Sequence, residues 1–210
     1  MVSAKRQPLL IFPCNGNGIE ALGCLADAYR LIGYVDDTPD KQGAKVHGYA
    51  VYGREALVRW PEARILAVPG SPTSYRMRKQ IIESLGIGND RFATLIHPAA
   101  TVSPMAQLGR NVLIMAGVVI TSNAILGDSV CVLPNTVVHH DAIIGAWSLI
   151  GSNVTIAGHT AVGENCYIGS GVSIMNGLRV GDGALVGIGS NVIRDVAPGT
   201  KVVGNPAYPL

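Results

Sequence analysis

The sequence is poor in aromatic and charged side chains. Phe, Trp and Tyr account for 5% of its 210 residues, and Asp, Glu, Lys and Arg together for 14%. The net charge of +2 is too small to predict a nucleic-acid-binding surface. No apolar run reaches the ~20 residues of a membrane-spanning helix, and the N-terminus lacks the pattern of a signal peptide. We therefore expect a cytoplasmic protein that binds no nucleic acid and does not insert into membranes.

Metal-binding cysteine pairs are also missing. The four cysteines, Cys14, Cys24, Cys131 and Cys166, follow none of the spacings that are typical of zinc sites. In a cytoplasmic protein such cysteines are expected to be free thiols.

An aliphatic residue recurs at every sixth position between Val102 and Val192, and no insertion interrupts the series. A second residue, usually small, follows four positions later, and Cys166 is one of these. A six-residue period fits neither a helix nor an ordinary strand, but it is the signature of a parallel β-helix. Three short strands then form one coil of about eighteen residues, and about five coils stack on one another. The aliphatic positions are Val102, Leu108, Ile114, Ile120, Leu126, Val132, Val138, Ile144, Ile150, Ile156, Val162, Ile168, Ile174, Val180, Val186 and Val192.

The first part of the chain has a different pattern. Residues 9–12 predict a buried strand, residues 13–18 a loop with Gly and Asn, residues 19–31 a helix, and residues 32–35 a second strand that ends at Asp36 and Asp37. This order is typical of a nucleotide-binding half of a Rossmann-like fold, in which phosphates approach the loop and an acid contacts the ribose or base. Because the loop lacks the full GxGxxG pattern, a simple α/β layer that caps the β-helix is the alternative.

Further elements complete this predicted domain. Residues 65–68 predict a third strand, and residues 69–73 a loop at its carboxyl end, where open α/β sheets bind ligands. Residues 74–85 predict an amphipathic helix, and residues 94–96 a last strand. We therefore divide the chain into an α/β domain of residues 1–97 and a β-helix of residues 98–210.

The sequence Val138-His139-His140-Asp141 concentrates titratable groups in one repeat unit. Since one coil takes eighteen residues, Gly158 should lie next to His140 and His159 next to Asp141. A histidine with a carboxylate neighbour is a candidate general base. Two alternatives remain: a pair of solvated histidines, and a zinc site of His139, His140 and His159, as in the γ-type carbonic anhydrases with this fold. The histidine spacing differs from theirs, so we expect no metal.

The sequence resembles a known family, the bacterial nucleotide-sugar N-acetyltransferases with hexapeptide repeats. This group includes enzymes of the bacillosamine and perosamine pathways and the sialic acid O-acetyltransferase-like proteins. The resemblance covers essentially the whole chain. It rests on the loop 14–18, the acids 36–37, the entry segment 95–98, the segment 135–141 and the ending 203–207.

The resemblance implies a homotrimer of left-handed β-helices with acetyl-CoA in the groove between neighbours. It also implies N-acetylation of a nucleotide-linked sugar, by our expectation a 4-amino-4,6-dideoxy sugar for surface glycan synthesis. His140 would be the general base, Asp141 its support and the Gly158 amide the oxyanion donor. A sugar O-acetyltransferase and a non-catalytic nucleotide-sugar-binding scaffold are the alternatives. The other implied contacts are Asn15, Gly16, Asn17, Asp36 and Asp37 for the nucleotide-sugar, and Leu149, Gly158, Ser170, Gly187 and Ile188 for the coenzyme.

Three positions depart from the family pattern. Pro13 replaces the first loop glycine, Asn17 replaces a loop histidine, and Leu149 replaces a histidine that some members place near the coenzyme. The first two departures leave the identity of the nucleotide open.

Overall fold

The computed structural model describes residues 6–210, so the first five residues of the predicted α/β domain lie outside the described part. That domain contains a five-stranded sheet with the order β3-β4-β2-β1-β5. Strands β4, β2, β1 and β5 are parallel, and β3 runs antiparallel to β4. Apolar clusters cover both faces of the sheet, which explains the continuous apolar run of β1, a strand with a parallel neighbour on each side. The strands are β1 Gln7–Phe12, β2 Tyr29–Val35, β3 Lys45–Val46, β4 Tyr49–Tyr52 and β5 Arg64–Ala67.

The helices between these strands are short. They are α1 Gly16–Glu20, α2 Glu55–Arg59 and α3 Arg78–Glu83, with 3-10 turns at Ala21–Cys24, Pro39–Lys41, Tyr75–Met77 and Asn89–Arg91. Within residues 6–210 no helix has the length and apolar character needed to cross a bilayer.

The predicted helix over residues 19–31 is wrong in its length. Helical structure ends at Cys24, Ala26 takes a left-handed φ of 45°, and β2 already begins at Tyr29. The apolar spacing that suggested a long helix is real, because Leu22 and Leu25 pack in the core cluster. One turn of α-helix and one 3-10 turn are enough to bury both side chains partly.

The repeat region is a parallel β-helix, as its period predicts. Its strands form three sheets, with the orders β22-β19-β16-β13-β10-β7, β20-β17-β14-β11-β8 and β24-β23-β21-β18-β15-β12-β9-β6. The strands are β6 Leu95–Ile96, β7 Thr101–Val102, β8 Gln107–Leu108, β9 Leu113–Ile114, β10 Val119–Ile120, β11 Ile125–Leu126, β12 Cys131–Val132, β13 Val137–Val138, β14 Ile143–Ile144, β15 Leu149–Ile150, β16 Thr155–Ile156, β17 Ala161–Val162, β18 Tyr167–Ile168, β19 Ser173–Ile174, β20 Arg179–Val180, β21 Leu185–Val186, β22 Asn191–Val192, β23 Lys201–Val203 and β24 Tyr208–Pro209.

Each strand pairs with the strand eighteen residues away, as Val119 does with Val137. The predicted last strand of the α/β domain, residues 94–96, instead belongs to the β-helix, because Leu95 of β6 pairs with Leu113 of β9. The sequence-based boundary at residue 97 therefore falls inside the first coil.

The interior of the β-helix contains the aliphatic side chains of the repeat and several small polar side chains. Hydroxyl groups at the small positions donate to carbonyl oxygens of the turns, as Thr136 does to Gly151 over 2.7 Å and Ser148 to Gly163 over 2.8 Å. These bonds satisfy polar groups that are out of reach of water. Cys166 is fully buried among them, as its position in the repeat predicts.

The α/β domain packs on the sheet that runs from β6 to β24, which we call the docking sheet. Its outward residues Leu113, Cys131 and Leu149 share one core cluster with Leu9 and Ile11 of β1. The docking sheet is therefore covered within the same chain.

Arg78 forms a second connection between the α/β domain and the β-helix. This fully buried side chain donates from Nε to the Trp147 carbonyl over 2.7 Å, from Nη2 to the Ser129 carbonyl over 2.6 Å, and from Nη1 to the Pro69 carbonyl. The guanidinium thereby fixes the loop after β5 to two successive turns of the β-helix.

Candidate functional site

His140 and Asp141 form the turn between β13 and β14, and they are in direct contact. His140 Nδ1 lies 2.8 Å from Asp141 Oδ2, and half of the imidazole side chain is exposed. Both belong to a turn, whereas neighbouring residues of a strand would point to opposite sides. Asp141 takes a φ of 59°, a left-handed conformation that Asp tolerates better than most residues.

The surroundings of Asp141 keep its carboxylate ionised. The hydrogen bond with His140 and a second one from Asn123 Nδ2 over 3.0 Å hold the pKa of this carboxyl below its usual value. An ionised carboxylate accepts hydrogen bonds only, so the Nδ1 of His140 must carry the proton in this pair. The Nε2 of the neutral ring is then left unprotonated and can accept a proton from a substrate.

Gly158 lies directly against the imidazole, as the eighteen-residue coil predicts. A Cβ at this position would stand 2.7 Å from both Nε2 and Cε1 of His140, so a side chain here would displace the ring. The Gly158 carbonyl accepts from Gly177 N, but its own N–H has no partner within residues 6–210. An unpaired N–H beside a histidine can stabilise negative charge on a reacting oxygen.

His159 completes this cluster. Its Nε2 lies 3.9 Å from Asp141 Oδ2, and its ring meets that of His140 edge to face with the centroids 5.1 Å apart. Ligand atoms of His140, Asp141 and His159 lie within 4.8 Å of one another, so these three could together hold a metal ion. The predicted zinc alternative instead had His139 in place of the carboxylate. We call the turns at 121–123, 139–141, 157–159 and 175–177 the histidine corner.

The Gly/Asn loop folds as a capped turn at the carboxyl end of β1. The Asn15 side chain accepts a hydrogen bond from Gly18 N over 2.9 Å and donates to the Val68 carbonyl over 3.5 Å. A Cβ on Gly18 would stand 2.3 Å from the Pro13 carbonyl, so only glycine allows this close turn. Gly16 is exposed with open space around it, and Asn17 is half-buried.

The acids after β2 are both engaged by the protein. Asp36 is buried, and it accepts from Cys14 N over 3.0 Å, Thr38 N over 2.9 Å and Lys41 Nζ over 3.0 Å. Burial alone would raise the pKa of Asp36, but the bonds from Thr38 and Lys41 outweigh burial and lower it. These contacts favour a role of Asp36 in shaping the loop.

Asp37 is half-exposed and forms a bidentate ion pair with Arg54, whose Nε and Nη2 each lie 2.7 Å from a carboxylate oxygen. A substrate that used this carboxylate would have to share it with the guanidinium.

The predicted coenzyme residues do not all lie together. Ser170, Gly187 and Ile188 share the turns that follow the docking sheet at 151–153, 169–171 and 187–189, which we call the glycine corner. Ser170 Oγ accepts from Ser152 N, and Ile188 is 80% exposed. Leu149 is only 3% exposed in the core beneath the α/β domain. The Leu149 side chain is therefore covered within its own chain, and its expected contact with the coenzyme stays a prediction that this burial does not favour.

The histidine corner and the α/β domain lie on opposite sides of the β-helix. The corner joins the sheet β7–β22 to the sheet β8–β20, whereas the α/β domain covers the third sheet. Each corner of a three-sided coil faces away from the opposite sheet. One chain alone therefore does not bring the Asn15 loop to His140.

Sequence reasoning missed two polar residues in these regions. Asn123 lies eighteen residues before Asp141, so the coil period that linked Gly158 to His140 could have found it. Lys41 also donates to the Cys14 carbonyl over 2.8 Å, and it lies on a 3-10 turn that no period predicts.

Comparison with known proteins agrees with this architecture. Residues 92–180 match the family model of the GMPPB C-terminal domain. A segment of 40 residues is 55% identical to UDP-N-acetylbacillosamine N-acetyltransferase of Bacillus subtilis, a match that spans 19% of this chain and 18% of the length of that relative.

Two solved structures match almost the whole chain. The acetyltransferase domain of PglB from Neisseria gonorrhoeae, in complex with acetyl coenzyme A, is 31% identical, with a TM-score of 0.85 over 98% of this chain and 100% of that one. A histidine-to-asparagine variant of perosamine N-acetyltransferase from Caulobacter crescentus, in complex with CoA and GDP-perosamine, is 27% identical, with a TM-score of 0.86 over 99% and 98%. The full-length match at 31% identity shows that this chain belongs to the hexapeptide-repeat family of sugar N-acetyltransferases.

Proposed function

We propose that the protein transfers the acetyl group of acetyl-CoA to the amino group of a nucleotide-linked sugar, with His140 as the general base. The observation that carries this proposal is the contact of His140 with both Asp141 and Gly158. In the neutral ring this contact leaves Nε2 free to accept a proton, next to the Gly158 N–H, which has no partner within residues 6–210. The co-substrates named for the two full-length structural relatives support the same chemistry.

In this mechanism His140 Nε2 takes a proton from the amine as the nitrogen attacks the acetyl carbonyl. The tetrahedral intermediate then collapses, the C–S bond of the thioester breaks, and the imidazolium gives its proton to the leaving CoA thiolate. Asp141 holds the ring and stabilises the imidazolium that forms. The Gly158 N–H donates to the developing oxyanion, a contribution typically of about 3 kcal/mol. General-base help of this kind is worth roughly a hundred- to ten-thousand-fold in rate.

The nucleotide-sugar is proposed to bind the α/β domain at the loop of Asn15, Gly16 and Asn17. The parallel order β4-β2-β1-β5 supports a Rossmann-like reading of this domain, since ligands bind where the connections change direction across such a sheet. Here that point lies between the carboxyl ends of β1 and β5, which Asn15 bridges through the Val68 carbonyl. Asp37 remains a proposed contact, and Asp36 acts through the loop that it holds.

The proposed assembly is a homotrimer of left-handed β-helices, and the separation of the two halves of the site supports a site that is shared between subunits. Because the Asn15 loop and His140 lie on opposite sides of one chain, we propose that a neighbouring subunit brings its loop to this histidine corner. Ser170, Gly187 and Ile188 would then contact the coenzyme in the groove between subunits. Ile125 and Ile143, 38% and 47% exposed on the sheet β8–β20, offer an apolar surface for this association.

Thiol release from acetyl-CoA tests the proposal, with UDP-, GDP- and dTDP-linked 4-amino sugars as acceptors and the parent sugars without the amino group as controls. Release with one amino sugar, lost in His140→Ala but kept in the neighbouring His139→Ala, supports it. Release with a hydroxyl parent indicates O-acetylation, and silence across the panel favours a binding scaffold. Normal turnover of His140→Ala refutes the assigned base.

A further inference from the structure

A small basic cleft lies away from the histidine corner, where the loop after β5 approaches the end of the β-helix. Its volume is about 250 Å³, and its lining residues are Pro72, Thr73, Tyr75, Arg76 and Lys201. Both charged lining residues are cations. Neither forms an ion pair with any residue between 6 and 210, although three pairs of Lys or Arg with Asp occur elsewhere in that range.

The guanidinium of Arg76 is held in place without being neutralised. Its Nε lies 3.0 Å from the Tyr75 hydroxyl and 3.1 Å from the Gly183 carbonyl, and its Nη2 donates to the Gly199 carbonyl over 2.6 Å. Tyr75 is buried and donates to the same Gly183 carbonyl over 3.0 Å. Of the five N–H groups of an arginine, three remain without a partner in the described chain. A fixed fork of this kind matches the oxygens of a phosphate.

Lys201 supplies the second positive charge. It lies on β23 with an exposed side chain, and it reaches the cleft from the β-helix while Arg76 reaches it from the α/β domain. A flexible ammonium opposite a fixed guanidinium suits a group that carries more than one negative charge.

We propose that this cleft is a phosphate-binding subsite. Its volume is below the ~300–1,000 Å³ of pockets that enclose whole ligands, so it takes only the charged part of one. This inference rests on the proposed function, in which both substrates carry phosphates: the diphosphate of the nucleotide-sugar and the phosphates of the coenzyme. The loop that supplies Pro72 and Thr73 also follows β5, at the sheet edge proposed to bind the nucleotide.

Direct binding of inorganic pyrophosphate to the full chain tests the subsite without any turnover. Lys201→Gln removes one charge from an exposed side chain, and Arg76→Lys keeps the charge but loses the fork. We expect pyrophosphate to bind about tenfold more weakly to each. The matched control is Lys45→Gln, an exposed lysine on β3 at the opposite edge of the sheet. Equal binding by Lys201→Gln and Lys45→Gln overturns the proposal.

Steady-state kinetics then identify the source of the phosphate. A raised KM of Lys201→Gln for the nucleotide-sugar alone assigns the diphosphate. A raised KM for acetyl-CoA that disappears with 3′-dephospho-acetyl-CoA assigns the coenzyme. Unchanged KM values for both substrates overturn a role in substrate binding. A wild-type protein that binds pyrophosphate through Lys201 yet acetylates no sugar refutes the proposed function and leaves the subsite standing.

Discussion

Gly158→Ala adds one methyl group at the point where the candidate base is most tightly packed. The new Cβ would stand 2.7 Å from Nε2 and Cε1 of His140. Ordinary van der Waals contact begins near 3.4 Å, so the ring must move by about 0.7 Å. The backbone at Gly158 is not left-handed, so alanine imposes no conformational penalty of its own. The substitution therefore perturbs the position of the imidazole and little else.

A displacement approaching 1 Å at reacting groups can cost about a hundredfold in rate. We accordingly expect kcat of Gly158→Ala to fall by about that factor, with the KM for acetyl-CoA changed much less. The assay is thiol release with the amino sugar that the acceptor panel identifies. Unfolding by urea serves as the control for folding, because Gly158 is buried but the group that the methyl would meet is the half-exposed ring of His140, which can move into solvent.

The double variant His140→Ala/Gly158→Ala tests whether the loss of rate comes from displacement of the imidazole. The three atoms nearest to the added methyl group all belong to the imidazole, so in its absence the double variant should be no slower than His140→Ala alone. Full activity of Gly158→Ala refutes the packing argument. A further hundredfold loss in the double variant shows instead that Gly158 acts independently of His140, for example through its N–H.

Three other substitutions test stability and assembly. Arg78→Met leaves three buried carbonyl oxygens without their donor and should lower the free energy of unfolding by about 3 kcal/mol or more, whereas the neighbouring Lys79→Met changes it little; urea unfolding measures both. The lowered pKa of Asp36 stabilises the fold above the unfolded-state value of 3.8, and this contribution is lost as the pH falls through the folded-state pKa. The stability gap between wild type and Asp36→Asn should therefore shrink in acid, and a gap that is constant with pH contradicts this sign. Ile143→Glu should dissociate the proposed trimer in light scattering, and the equally apolar but solvent-facing Val58→Glu should not.

The sequence predicts the histidine corner well because the β-helix converts spacing into proximity. The coil length of eighteen residues is enough to predict that Gly158 lies next to His140 and His159 next to Asp141. The same number does not reveal which outward side chains another domain covers. Leu149 has the outward phase of the repeat, yet the α/β domain packs on its sheet, and the strand order of that domain cannot be read from a period.

The α/β domain is less predictable because its contacts depend on irregular segments. Asp36 stands at the tip of a strand, where an acid often meets a ligand, but the 3-10 turn that carries Lys41 folds back and occupies it. The burial of Arg78 depends on two turns of the β-helix, more than fifty residues further along the chain. No local sequence pattern predicts either contact.

Mixing two inactive variants tests whether each active site is shared between subunits. Asn15→Ala removes the cap of the proposed nucleotide loop, and His140→Ala removes the proposed base, so each homotrimer should be inactive or nearly so. In trimers reassembled at random from equal amounts, about one site in four combines an intact loop from one subunit with an intact histidine from its neighbour. Thiol release should therefore return to about a quarter of the wild-type rate. If loop and base served the same site within one chain, every site would keep one defect, and mixing would restore nothing.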